Sequence, residues 1–204
     1  MFTWLGRLLT AAGVLALLTG GFFYLDSALF QRARSHELDR LLAAQNAQAA
    51  SGAMLVREDH DRAADPAQTR VSDGAEVGRL RIPSLRLSAI ILQGTGSGTL
   101  RRAVGHLPGS ALPGQAGNVV LAGHRDTFFR PLCNIRPGDT ITLQTPRASF
   151  NYRVASSAIV APNDVGVLAP SAGDTLTLVT CYPFYFIGPA PRRFIVHAEL
   201  SPAD

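Results

Sequence analysis

A mainly β domain behind a single membrane-spanning helix is the fold class this sequence predicts, on three observations. Residues 8–25 form an uncharged apolar run. From Gly78 onward, short runs of alternating apolar and polar residues recur between Gly, Pro and Asp turn signals. Between these regions lies a stretch rich in Ala, Gln, Asp and Arg with little apolar periodicity, which reads as stalk or linker. Many short strands at turn-punctuated spacing imply a closed or nearly closed barrel of about eight strands with short helices.

The apolar run comes first. At about 1.5 Å per helical residue it reaches roughly 27 Å, close to the hydrocarbon thickness of a bilayer. Trp4 and Tyr24 lie near its ends, where interfacial aromatics are expected. No small-x-small cleavage site precedes the polar stretch, which favours an uncleaved anchor over a removed signal peptide. Residues 1–25 are therefore assigned as a short cytoplasmic tail and a single-pass anchor in the cytoplasmic (inner) membrane. Everything after Asp26 is placed on the extracytoplasmic side, although the arginines flanking the run do not decide the orientation.

Residues 26–77 form a juxtamembrane helix and linker, the helix marked by Leu38, Leu41 and Leu42 at i, i+3, i+4 spacing. Residues 78–204 form the barrel. Its strands are expected at 79–83, 85–92, 118–124, 139–145, 149–160, 174–181 and 193–200. Short helices are expected at 99–104, 127–134 and 163–169, and loop at 108–117.

Nineteen Lys and Arg against fifteen Asp and Glu give a net charge of +4, which suits a domain held beside an anionic membrane. The arginines are scattered, and no basic helix or aromatic stacking motif points to nucleic acid. The two cysteines, Cys133 and Cys181, permit one disulfide. A membrane-tethered, disulfide-stapled binding module is therefore the alternative reading. A thiol redox protein is disfavoured, since there is no C-x-x-C and no βαβ pattern.

The chemistry concentrates at strand ends. In residues 174–181, Leu176, Leu178 and Thr180 share one face, and Thr175, Thr177, Val179 and Cys181 share the other. With the leucines inward, the thiol sits outward where the strand gives way to a loop. A free thiol is mostly protonated at neutral pH, so it needs a neighbouring base to act as nucleophile. Of the five histidines, His36 and His60 fall in the stalk, and His197 lies well inside its strand. His106 is placed in a loop and competes with His124, which directly follows an apolar strand. Arg193, with Arg192 as the alternative, begins the strand after Cys181 and would aim a guanidinium at a developing oxyanion. The connecting loop, residues 182–191, is rich in aromatics and proline and reads as the wall of a groove.

Thr177-Leu178-Val179-Thr180-Cys181 resembles the TLxTC signature of sortases, the membrane-anchored cysteine transpeptidases of bacterial surfaces. Gly123-His124-Arg125 resembles the family's histidine segment, and Arg193 followed by Phe194, Ile195 and Val196 resembles its arginine strand. The extension through Tyr182 is most like class D or E, or the single sortases of Gram-negative bacteria. The resemblance implies that Cys181 attacks the carbonyl of an LPxTG-like sorting-signal peptide of an exported protein. His124 would then be general acid and base, and Arg193 the oxyanion or motif anchor. An amine acceptor of the cell envelope or a protein, or else water, would resolve the thioester. Asp126 is a candidate to orient His124 or a solvated loop acid. Cys133 has no place in the pattern. No cofactor is implied, and no acidic cluster justifies a metal site.

Overall fold

The computed structural model describes residues 2–51, 71–186 and 188–201, with side chains among these except at residues 2, 3, 23 and 45–51. His60 and most of the linker lie outside the described residues. Helix α1 (Phe2–Ser51) is continuous. It is followed by β1 (Glu76–Ile82), β2 (Leu87–Gln93), α2 (Ser97–Arg102), β3 (Val104–His106) and β4 (Asn118–Ala122). Then come β5 (Thr140–Gln144), β6 (Ser149–Val160), β7 (Thr175–Tyr182) and β8 (Arg192–Leu200). The eight strands close into a barrel in the order β1-β2-β3-β4-β7-β8-β6-β5.

Alternation builds this barrel. Leu80 and Ile82, Ala89 and Ile91, Val119 and Leu121, Ile141 and Leu143, and Leu176 and Leu178 all occur at two-residue spacing and point inward into one core. Each of these residues is at most 1% exposed. Strand β2 breaks the alternation, because Ile90 and Leu92 are apolar on its outer face as well. That face is covered: Phe30 of α1 packs on Ile90, Leu92 and Ala103.

Helix α1 is thus part of the domain beyond its apolar half. Gln31 accepts a hydrogen bond from the Ile90 N–H (2.8 Å) and donates one to the Arg102 carbonyl (2.7 Å). Arg79, nearly buried on β1, donates to the Ser35 carbonyl and pairs with Asp39 at 2.8 Å. Arg102 pairs with Asp26 at 2.8 Å. The docking stripe runs through Gln31, Ser35, Leu38 and Leu42, one helical face. Leu38 is fully buried, whereas Leu41 is 48% exposed and lies off the stripe.

Three local expectations change. Residues 127–134 and 163–169 contain only 3-10 turns, at Arg130–Asn134 and Val165–Leu168. Pro131 and the glycine and β-branched residues of the second segment do not support a longer helix. Residues 104–106 form a strand that sequence periodicity missed, being too short to show a period. His106 consequently belongs to a strand rather than a loop.

Candidate active site

Strands β4, β7 and β8 are neighbours, and their ends bring the candidate residues together. Cys181 lies directly opposite Arg193 in the antiparallel β7–β8 ladder, so both side chains leave the same face. Arg192 is paired with Tyr182 and therefore belongs to the other face. Parallel pairing of β4 with β7 runs from Asn118 opposite Thr175 to Ala122 opposite Val179. It is extended by the Gly123 N–H donating to the Val179 carbonyl at 3.1 Å. His124 therefore leaves β4 beside the point where Cys181 leaves the registered part of β7. Cys181, His124 and Arg193 are all half-buried, with access to solvent.

Two threonines fasten this arrangement, one on each face of β7. Inside the barrel, buried Thr180 donates to the Gly123 carbonyl at 2.7 Å. Outside, Thr177 donates to Asn118 Oδ1 at 2.9 Å. With its proton so used, Thr177 Oγ1 must accept from His197 Nδ1, 3.2 Å away, which fixes the tautomer of that ring. Asn118 in turn donates to the Ala169 carbonyl, anchoring the β6–β7 connection. Gly123 tolerates no side chain: a Cβ there would lie 2.8 Å from the buried Phe129 ring.

The competing histidines are engaged elsewhere. His106 is 1% exposed, with Nδ1 2.8 Å from the Gln93 side-chain amide and Nε2 2.8 Å from the Ala111 carbonyl. It pairs with Leu121, which is level with Leu178, so it sits about 10 Å short of Cys181 along the barrel. Burial lowers its pKa below the ordinary 6.5, outweighing the opposite pull of the Ala111 carbonyl. Burial also lowers that of His197. His36 is exposed on α1. Asp126 is exposed beside His124, and among the described residues no hydrogen bond joins their side chains.

Both cysteines are free; Cys133 is exposed on the 3-10 turn at Arg130–Asn134. The disulfide-stapled module is thus not favoured.

The loop after Cys181 folds back on the barrel. Phe184 is 9% exposed and forms an aromatic cluster with Tyr182 and Phe194, with ring centroids 5.2–6.4 Å apart. Arg125, the residue after His124, donates to the carbonyls of Pro183 (3.0 Å), Phe186 (2.8 Å) and Gly188 (2.9 Å). Its guanidinium also lies over the Phe186 ring. In the sequence Arg125 is only a flank of His124. The signal it carries is its place, since a rigid fork next to the histidine can satisfy several loop carbonyls at once.

The family profile of the sortase domain matches residues 80–201. The chain belongs to the sortase family. It is 33% identical to Sortase D of Bacillus subtilis (strain 168) over 190 residues, 93% of both chains. It resembles the structure of the Sortase D5 transpeptidase of Clostridium perfringens, at 28% identity and a TM-score of 0.59. That match covers 64% of this chain and 82% of the other. Sortase C from C. perfringens SM101 matches with a TM-score of 0.61 and 25% identity, over 82% of this chain and 91% of that one. Class D is the branch this sortase fits, and its reaction class is that of a cysteine transpeptidase.

Proposed function

We propose that this sortase is a single-pass, membrane-anchored transpeptidase working outside the cytoplasmic membrane, with Cys181 as nucleophile, His124 as general acid and base, and Arg193 as oxyanion donor. The substrate is an LPxTG-like C-terminal sorting signal of an exported protein. Cys181 Sγ, its proton passed to His124, attacks the carbonyl carbon of the scissile peptide bond, and Arg193 donates to the oxyanion that forms. Collapse breaks the C–N bond as His124 delivers a proton to the departing amine. The thioester is then attacked by an amine of the envelope or of a protein, whose proton returns to His124. Water resolves it more slowly.

The observation that carries this reading is the pairing of Cys181 with Arg193 on one face, next to the β4 end that bears His124. Anchoring rests on the apolar first half of α1, which is long and apolar enough to cross a membrane and is not buried within the protein. The test is a Leu-Pro-x-Thr-Gly peptide library incubated with the full chain in detergent micelles, with and without an added amine. Amine-dependent ligation that is lost in Cys181→Ala supports the reading and names the preferred motif. Cleavage that survives in Cys181→Ala overturns it.

A further inference from the structure

The proposed mechanism leaves one feature unused: a cleft of about 710 Å³ between α1 and the segment carrying His124. Tyr24, Ser27 and Ala28 form one wall, and His124, Thr127 and Phe128 the other. We infer that this cleft is the subsite for the amine side of the donor, the peptide segment that follows the scissile bond and departs when Cys181 is acylated. The inference rests on the transpeptidase reading and deepens it.

Five observations support this occupant. The cleft is continuous with His124, the group that hands a proton to the departing amine, so that amine must leave past this ring. By strand order the cleft lies on the side of His124 away from Arg193, because its α1 wall packs on β2, which with β3 precedes β4 in the barrel, while β7 and β8 follow it. The acyl half, held by Cys181 and Arg193, therefore lies on the other side. The helical wall begins at Tyr24 and Ser27, where the uncharged run of residues 8–25 ends. A donor whose C-terminal end is still held in the same bilayer would rise into the cleft at this level. The wall is also built to stay in place: Gln31 bridges Ile90 and Arg102, and Asp26 pairs with Arg102. The volume of the cleft and its lining, in which Gln31, Arg101 and Asp126 join the rings and hydroxyls, suit a short peptide segment.

The test compares two donors with the same acyl half, Leu-Pro-x-Thr with x as the library selects. One continues through Gly and four further residues; the other is a thioester with a small alkyl leaving group and nothing beyond it. Acylation of Cys181 in the full-length protein in nanodiscs is followed by intact mass. Ala28→Trp and Thr127→Trp fill the cleft from opposite walls, and Leu29→Trp, on an exposed position of α1, is the control. The expected result is a fall of tenfold or more in the peptide-to-thioester rate ratio for both filled variants, with the control within twofold. An unchanged ratio in both filled variants, or an equal fall for both donors, overturns the subsite. If neither donor acylates Cys181 in the unaltered protein, the transpeptidase reading falls and this inference with it.

Discussion

Thr180 Oγ1 donates a 2.7 Å hydrogen bond to the carbonyl of Gly123, joining the residue before Cys181 to the residue before His124. The bond is inside the barrel, where Thr180 is 2% exposed. The second threonine of the Thr-Leu-Val-Thr-Cys stretch therefore fixes the separation of two strand ends on which nucleophile and base would depend.

Thr180→Val keeps the shape and leaves the Gly123 carbonyl unpaired, at a cost of about 1–3 kcal/mol. The expected outcome is a modest drop in melting temperature with a kcat loss of more than tenfold. Thr180→Ser should recover most of both. Parallel thermal unfolding and turnover measurements check this. A variant with unchanged kcat would remove Thr180 from site positioning.

Gly123→Ala drives a methyl into the Phe129 ring, which is fully buried and has no room to retreat. Overpacking of this kind costs about 1–3 kcal/mol. Since His124 is the next residue, activity should fall further than stability, and the combination with Phe129→Leu should restore part of it. Denaturant unfolding and rates for the single and double variants decide the point.

Arg125→Lys retains the charge but replaces a fork by a point donor that cannot serve three carbonyls. Amide hydrogen exchange in the β7–β8 loop should accelerate, and KM for the donor peptide should rise. The far strands β1 and β5 should exchange as before, which separates loop release from general unfolding.

The two histidines with lowered pKa set a pH dependence of stability. Burial lowers the pKa of both rings in the fold, so the unfolded chain binds protons first as pH falls through 6.5. Stability is fully present above that value and is lost as pH falls from there toward the folded-state pKa values. Denaturant titrations at pH 7.5 and 5.0 should show this loss, and His106→Gln should make it smaller.

Because α1 packs on the barrel, Leu38→Ala should destabilise the barrel by about 2–4 kcal/mol, as for a fully buried leucine. Leu41→Ala, on an exposed position, should do little. Equal, negligible effects would make the helix only a tether.

Most strands were legible because a barrel with a filled interior demands period-two patterning, and Leu176 and Leu178 mark it plainly. The outward parity of Cys181 followed from the same alternation. Strand β3 was not legible, since three residues carry no period. Nor was the docking of α1, because beside Phe30, Leu38 and Leu42 its contacts are polar: Gln31, Ser35 through its backbone, and Asp39. Those residues look solvated until the β2 outer face and Arg79 are placed against them. The role of Arg125 was hidden for a related reason, as its partners are main-chain carbonyls that have no sequence signature.

Whether Cys181 carries the acyl group is decided most directly by intact-mass analysis of the full-length protein, quenched with acid during turnover of its preferred peptide. The expected species is an adduct of the acyl half alone, mapped to Cys181, which disappears when an amine is added before the quench. An adduct confined to Cys133, or turnover without any adduct and undiminished in Cys181→Ala, would contradict the assignment of Cys181 as nucleophile.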